Sequence, residues 1–534
     1  MNAIRLNSGD YAIIIGYFAT IVLIGLRLRR RMVSSTEYFQ AGRSLPALVT
    51  GIAFVAANCG ALEIMGVVST SAKYGARANQ FYWIGAIPAL LFLGLFMMPI
   101  YYGSKTRSVP EFLKLRYNEA TRVLNAISFA LLMVLVSGIS LYAMAIIMRT
   151  FLGWSFNFSV IIAAACVLTY VILGGLAATI YNEVLQFILI VVGLTPMVFF
   201  VLRDFHGIAG LRAALPADLG HTWEGLSFVR PAYSAMDIVG IIFGLGFVLS
   251  CGYWCTDFLL IQRALAARDV EAASATPLIA ATAKLFFPAL VVVPGLAAII
   301  LIPKGLAERY DLALPALMSR YYGHGLLGLG AVAMLSSFMS GMAGNITAFN
   351  TVWTYDLYQS YIVRNRPDRH YLMVGRVATV VVTLMSIGTA YIALRFNSLM
   401  DYVQLLFSFF NAPLFATFLL GMFTRWATPA GGFWGLLLGT AASLVHRAAY
   451  SAHLVSYGSD MSANFYGAIV AWSVCFIVTV LVSLATKKKP RPELEGLIYV
   501  REPRRGKESR RPAGSWAFVA AILVVCVMLN WWLR

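Results

Sequence analysis

Charge is what this chain has little of. Only 12% of its 534 residues are Asp, Glu, Lys or Arg, where a soluble globular chain carries about a quarter. That shortage argues against a soluble fold. Histidine is scarce as well. The six (206, 221, 324, 370, 446 and 453) lie in or near loops, with no metal-ligand spacing. A GxxxxGK loop and a nucleophile elbow are both missing, so no enzyme is expected, and no catalytic or cofactor-binding residue is assigned. The six cysteines fall in or beside apolar runs. Cys251 and Cys255 stand one turn apart without a second pair, and read as small apolar fillers. Alternating ten-residue strands are absent, which argues against a β-barrel, and a filter-like repeat is absent, which argues against a channel.

What is present is apolar sequence. The chain is 60% hydrophobic, with a mean hydropathy of +0.77. Runs of about 20 apolar residues recur from end to end, the signal of transmembrane helices. About fourteen spans are expected, at 9–27, 46–70, 78–102, 121–149, 155–178, 180–202, 237–262, 273–302, 322–355, 372–395, 399–424, 429–448, 462–485 and 514–532. The fold class expected is therefore an all-α polytopic membrane protein, its environment the lipid bilayer. The first apolar run has its arginines after it and no small-residue cleavage site, so it reads as a retained helix and not a signal peptide.

The net charge of +18 raises the question of nucleic acid. Lys and Arg instead sit between apolar runs, as the positive-inside rule places them, so no nucleic-acid partner is expected. With the N-terminus outside, the inner segments carry most of them. The stretch KKKPRPELEGLIYVREPRRGKESRR, within 486–513, decides the comparison. Both termini are then extracytoplasmic in a cell membrane. The 486–513 segment reads as a flexible, basic cytoplasmic linker, and 203–236 as an external loop in which no chemistry is read. Residues 311–321 are expected in another external loop. No obligate protein partner is evident.

Polar groups at membrane depth are costly unless they are paired, face a cavity or bind something. The second span, GIAFVAANCGALEIMG, is interrupted by Asn58, Gly60 and Glu63. It reads either as a broken helix that frees backbone carbonyls or as close packing with Asn58 as interhelical glue. In AVAMLSSFMSGMAGNIT, Ser336, Ser337 and Ser340 offer neutral oxygens. Ser336 and Ser340 share a face at i, i+4, yet serines also bond their own helix carbonyls. After Gly174 and Gly175 come Glu183 and Gln186; Glu183 is a cation ligand, a proton carrier or a helix cap. Lys284 lies deep in TPLIAATAKLFFPALVVVPG, where it snorkels, pairs with a carboxylate such as Glu63, or bonds a solute hydroxyl. Gln404 and Asn411 are weaker candidates. Tyr253 and Trp254 are gate or core aromatics.

Over about residues 35–430 the chain resembles the sodium:solute symporter family, and within it the sodium–sugar cotransporters. The resemblance is carried by EYFQAGRSLP at 37–46, AAN at 56–58, TRSVPEFLKLRYN at 106–118, GGLAATIYNEVLQ at 174–186, LIQRALAARD at 260–269, and MLSSFMSG with TYDLY within 334–358, in that order. It implies a LeuT-type fold of two inverted five-helix repeats with flanking helices. The organisation expected is 1–45 as an extra helix and basic inner loop, 46–202 as the first repeat and 203–236 as the external loop. The second repeat is then 237–424, followed by accessory helices over 425–485, the linker and a terminal helix over 514–534. The resemblance implies one sodium ion on Ala56, Cys59, Ala333, Ser336 and Ser337. Glu183 and Ser340 are candidate ligands of a second cation, while Met339 stands where a hydroxyl residue is common. For the solute it implies Asn58, Glu63, Tyr82, Ser250, Lys284 and Gln404, with Tyr253 as an inner gate beside Trp254. Glu63 replaces a glutamine, Tyr82 a glutamate and Ser250 an asparagine of the family pattern.

The function so implied is sodium-coupled symport of a small polar solute, a sugar or polyol, by alternating access. Two alternatives stay open. One is a sodium- or proton-coupled carrier of an organic anion, amino acid or amine. The other is a membrane sensor that binds solute without moving it.

Overall fold

The computed structural model describes residues 6–29, 39, 41–223, 236–303, 309–396, 398–499 and 514–534. Parts of the expected inner loop (28–45), external loop (203–236) and linker (486–513) lie outside the described residues. Among those described, the chain is helical and forms no β-strand. The helices are α1 (Ser8–Arg29), α2 (Ala47–Asn58), α3 (Leu62–Asn79), α4 (Phe81–Gly103), α5 (Val109–Arg116), α6 (Glu119–Leu152), α7 (Phe156–Asp204), α8 (Ile208–Ala214) and α9 (Gly240–Thr256). After them come α10 (Phe258–Leu265), α11 (Val270–Leu301), α12 (Ala313–Tyr321), α13 (Leu326–Ile362), α14 (Asp368–Ala393), α15 (Leu399–Phe423), α16 (Pro429–Ser451), α17 (Asp460–Ala485) and α18 (Gly514–Trp532).

Among the described residues nine helices are long and apolar enough to cross a membrane. The number rises to eleven if each of two bent pairs is one span. The pairs are α2–α3, bent by 56°, and α9–α10, bent by 47°. The protein is thus a membrane-embedded, multi-pass helical chain. Every expected apolar segment falls on a helix. The expected turn near 179 is displaced: α7 runs on through it and breaks earlier, at Gly175, with φ 54° and ψ −152°. Only glycine takes that backbone without strain. The region expected in an external loop, 311–321, carries the short helix α12. The first part of the expected linker is packed, not loose. Leu494, Leu497 and Ile498 are buried, and Tyr499 donates its N–H to the Met422 carbonyl at 2.7 Å. The apolar run LIY supplies that contact within an otherwise basic stretch.

The helices group into two compact units of interleaved segments. One contains residues 1–79, 129–221 and 286–403. Its helices approach closely through small residues: a Cβ on Gly60 would stand 3.2 Å from the Gly341 Cα, and one on Gly193 of α7 would stand 2.6 Å from the Ala333 Cβ. Its first helix is fastened to α13 by Asp10, which is fully buried. Asp10 Oδ1 accepts the N–H groups of Gly325 and Gly328, both at 2.8 Å. A carboxylate on the orphan donors at a helix start satisfies them and meets the positive end of the helix dipole. Asp10→Ala is expected to cost about 1–3 kcal/mol by orphaning these donors. The check is thermal unfolding of the purified protein, where an unchanged midpoint would contradict the assignment.

The other unit contains residues 80–128, 222–285 and 404–534. In it the buried Arg116 closes the C-terminus of α15. Its guanidinium donates to the carbonyls of Gly421 (2.6 Å), Thr424 (3.0 Å) and Ala427 (3.1 Å). The Tyr117 hydroxyl donates to the Thr417 carbonyl at 2.8 Å. A cation on the last carbonyls of a helix is the complement of the cap at α13.

Candidate functional site

Helix α2 stops because its last residues are small and lead into glycine. Its last backbone bond runs from the Cys59 N–H to the Val55 carbonyl at 2.9 Å. The chain resumes when the N–H groups of Glu63 and Ile64 both turn to the Gly60 carbonyl at 3.1 Å. A helix end leaves carbonyls that need other partners. Two of them find α13. Ser337 Oγ donates to the Cys59 carbonyl at 2.6 Å, and Ser340 Oγ donates to the Ala56 carbonyl at 2.9 Å. Ala56, Cys59, Ala333, Ser336, Ser337 and Ser340 are all fully buried. The broken helix and the serine helix therefore meet through neutral oxygens sealed from water. Such a set suits a hard monovalent cation that must also leave, since it adds no fixed negative charge.

The three serines do not act alike. Ser337 and Ser340, at i, i+3, face α2. Ser336 makes no such bond: it lies beside the Tyr17 phenol of α1, and its Oγ has no hydrogen-bond partner among the described residues. Tyr17 carries no signal in the sequence beyond being a tyrosine inside an apolar run. Met339 holds two tyrosines. Its sulfur receives the Tyr17 hydroxyl at 3.6 Å, and its carbonyl receives the Tyr170 hydroxyl at 2.9 Å. Glu183 is fully buried on α7, one turn before Gln186. Asn58 and Glu63, at 8% and 6% exposure, flank the break itself.

Outside the spans, among the described residues, this unit holds one perturbed carboxyl. Asp311, 2% exposed, accepts the Leu399 N–H at 3.3 Å. Burial pushes its carboxyl up to about 7; the Leu399 N–H, Ser69 and the Arg309 charge oppose the shift, and Asp401 adds to it. Asp401 is itself paired with Lys73 at 2.7 Å.

In the other unit Tyr82 and Trp254 flank Lys284. It is fully buried on α11. Its ammonium lies 5.6 Å from the Tyr82 ring centroid and 5.3 Å from that of Trp254. Aromatic faces attract a cation at this range. Tyr253 packs edge-on against Trp254 at 5.2 Å and stacks on Phe407 at 4.7 Å. Ser250 is 6% exposed and fits against Gly85, where a Cβ would come within 2.6 Å of its Oγ. Gln404 is 6% exposed on α15.

Comparison with known proteins supplies a frame for these groups. The model of the sodium:solute symporter family matches residues 38–439. A sodium/glucose cotransporter 4 of Danio rerio is 26% identical, over 96% of this chain and 84% of its own. The sodium/glucose cotransporter of Vibrio parahaemolyticus is 28% identical, over 79% of this chain and 82% of its own. A sodium/myo-inositol cotransporter 2 of Oryctolagus cuniculus is 28% identical, over 81% and 69%. Among solved structures, the substrate-bound, outward-open Na+-coupled sialic acid symporter superposes with a TM-score of 0.79 at 18% identity, covering 91% of this chain and 100% of that one. A closed nucleobase-cation-symport-1 transporter reaches 0.54 at 13% identity. These two likenesses are of fold.

Proposed function

Because the chain belongs to the sodium:solute symporter family, we propose that it accumulates a sugar or polyol by coupling it to sodium at the carbonyl–serine seam. The protein is a secondary active transporter and not an enzyme, with Na+ as its coupling ion. The observation that carries the site is the pairing of Ser337 with the Cys59 carbonyl and of Ser340 with the Ala56 carbonyl. Sodium taken up there, with Ala333 and Ser336 adding oxygens, would hold the end of α2 against α13. The bent helix is then fixed in one arrangement while the solute binds, and alternating access follows.

The sugar reading is supported by the names of the glucose and myo-inositol relatives. It also fits the Lys284 group, where an ammonium and aromatic faces offer donors and stacking surface to a hydroxylated ring. Tyr82, Ser250 and Gln404 are the further solute contacts proposed in that unit, with Tyr253 and Trp254 as the gate. Asn58 and Glu63 are proposed separately, as polar contacts at the break after α2. Glu183 and Ser340 are proposed for a second cation. We place the expected repeats at 46–202 and 237–424, about fourteen spans in all, with both termini outside the cell membrane.

The driving force is adequate. A tenfold sodium gradient contributes about 1.4 kcal/mol and a 100 mV potential about 2.3 kcal/mol per charge. The sum supports roughly several-hundred-fold accumulation at one sodium per solute. The test is uptake of labelled sugars and polyols into proteoliposomes. Uptake is expected for at least one of them and only with sodium present. Equal uptake when choline replaces sodium would end the coupling proposal. Uptake driven by a pH gradient alone would instead favour proton coupling through Glu183.

A further inference from the structure

Helix α1 lies outside both expected repeats, yet its Tyr17 reaches the serine helix. The phenol is 5% exposed. Its oxygen accepts Gln186 Nε2 at 3.2 Å, and its hydrogen is directed to the Met339 sulfur at 3.6 Å. A phenol oxygen with one acceptor place filled retains a second. The group beside it is Ser336, whose fully buried Oγ has no partner among the described residues. A buried hydroxyl left without a partner is costly. A hydroxyl that ligates a cation must also turn its lone pairs to the ion and send its hydrogen the other way, which requires an acceptor behind it. The surroundings are polar on the α7 side as well. Asn182 and Gln186 are buried one turn apart, and both Asn182 amide atoms and Gln186 Oε1 have no partner among the described residues.

We propose that Tyr17 is a positioning residue for the sodium site: its phenol oxygen, held by Gln186, takes the Ser336 hydrogen and leaves both Ser336 lone pairs for the ion. This rests on the reading of Ser336 as a sodium ligand. It makes a helix outside the repeats part of the ion site, fastened to α13 by Asp10 at one end and by Tyr17 at the level of the serines. Because α1 also touches α7 through Gln186, sodium binding tightens four helices, α1, α2, α7 and α13, and not two.

The test is equilibrium binding of radiolabelled sodium to the purified full chain. Tyr17→Phe deletes one hydroxyl and keeps the ring. It is expected to raise the half-saturating sodium concentration roughly three- to tenfold, the effect of one hydrogen bond, with the number of sites unchanged. Ser336→Ala is expected to raise it further. The double variant should bind no more weakly than Ser336→Ala alone, because Tyr17 acts through that serine. If Ser336→Ala weakens binding and Tyr17→Phe does not, the role of Tyr17 is refuted and the site stands. If Ser336→Ala itself leaves binding unchanged, the site reading is refuted. A Tyr17→Phe protein that loses sites without a shift in half-saturation has a structural tyrosine only, as does one whose effect adds fully to that of Ser336→Ala. Should Tyr17→Phe fail to fold, Gln186→Met releases the phenol from its other side. It is expected to produce a smaller shift of the same sign, and no shift would overturn the proposal.

Discussion

Ser337→Ala is expected to abolish sodium-dependent uptake at physiological sodium while leaving the protein in the membrane. The variant removes one oxygen from a site that has no carboxylate among its five proposed ligands, so each remaining oxygen counts. The hydroxyl removed is the one that now donates to the Cys59 carbonyl at 2.6 Å. The lost ligand predicts a rise in half-saturating sodium of roughly 30-fold or more, from about 2 kcal/mol or more of lost binding at 1.4 kcal/mol per tenfold. Ser337→Thr keeps the oxygen and is expected to retain coupling, with a smaller loss from its added methyl. The measurement is initial uptake rate against sodium concentration. A Ser337→Ala curve that overlays the unsubstituted one would remove Ser337 from the site. A lower plateau with unchanged half-saturation would say that the serine only packs.

This prediction rests on a feature that was legible in part. The break after Ala-Ala-Asn-Cys-Gly could be read because small residues and an amide interrupt an apolar run, and the structure bends there by 56°. The spans could be read for the same kind of reason: α6, expected over 121–149, occupies Glu119–Leu152. Which serine faces the break could not be read. Periodicity put Ser336 and Ser340 on one face, whereas Ser337 and Ser340 make the contacts. Ser336 and Ser337 stand about 100° apart around the helix with Ser340 between them, and only the partner helix decides which of the two shares its face. The contacts of Tyr17 with Met339 and of Lys73 with Asp401 join residues more than 300 positions apart. No local pattern encodes them. Nor does the sequence announce the wider π-helical turns at Leu62–Gly66 and Phe81–Ala86, since a single extra residue per turn changes no composition. The family pattern supplied the proposed ion ligands; it carried no indication of Asp10, Tyr17 or Arg116 as fastenings.

The second large effect is expected at Lys284. An ammonium buried in a span costs several kcal/mol to desolvate. The faces of Tyr82 and Trp254, at 5.6 and 5.3 Å, each return about 0.5–2 kcal/mol. Lys284 is proposed as a solute contact, and methionine would fill nearly the same volume without the charge. Lys284→Met is therefore expected to raise the solute KM by about 100-fold or more, the loss of a charge-assisted anchor. Binding of radiolabelled sodium should stay within about twofold of the unsubstituted protein, since none of the five proposed sodium ligands lies on α11. That control separates a lost solute contact from a misfolded chain. Tyr82→Phe tests the ring independently. It keeps the π face and removes only the hydroxyl, so a small effect assigns Tyr82 to holding the lysine, and a large one assigns its hydroxyl to the solute. Lys284→Met with an unchanged KM would remove the lysine from the solute site. The aromatic pair would then be a device for burying a charge, and the solute would have to be sought at Asn58 and Glu63.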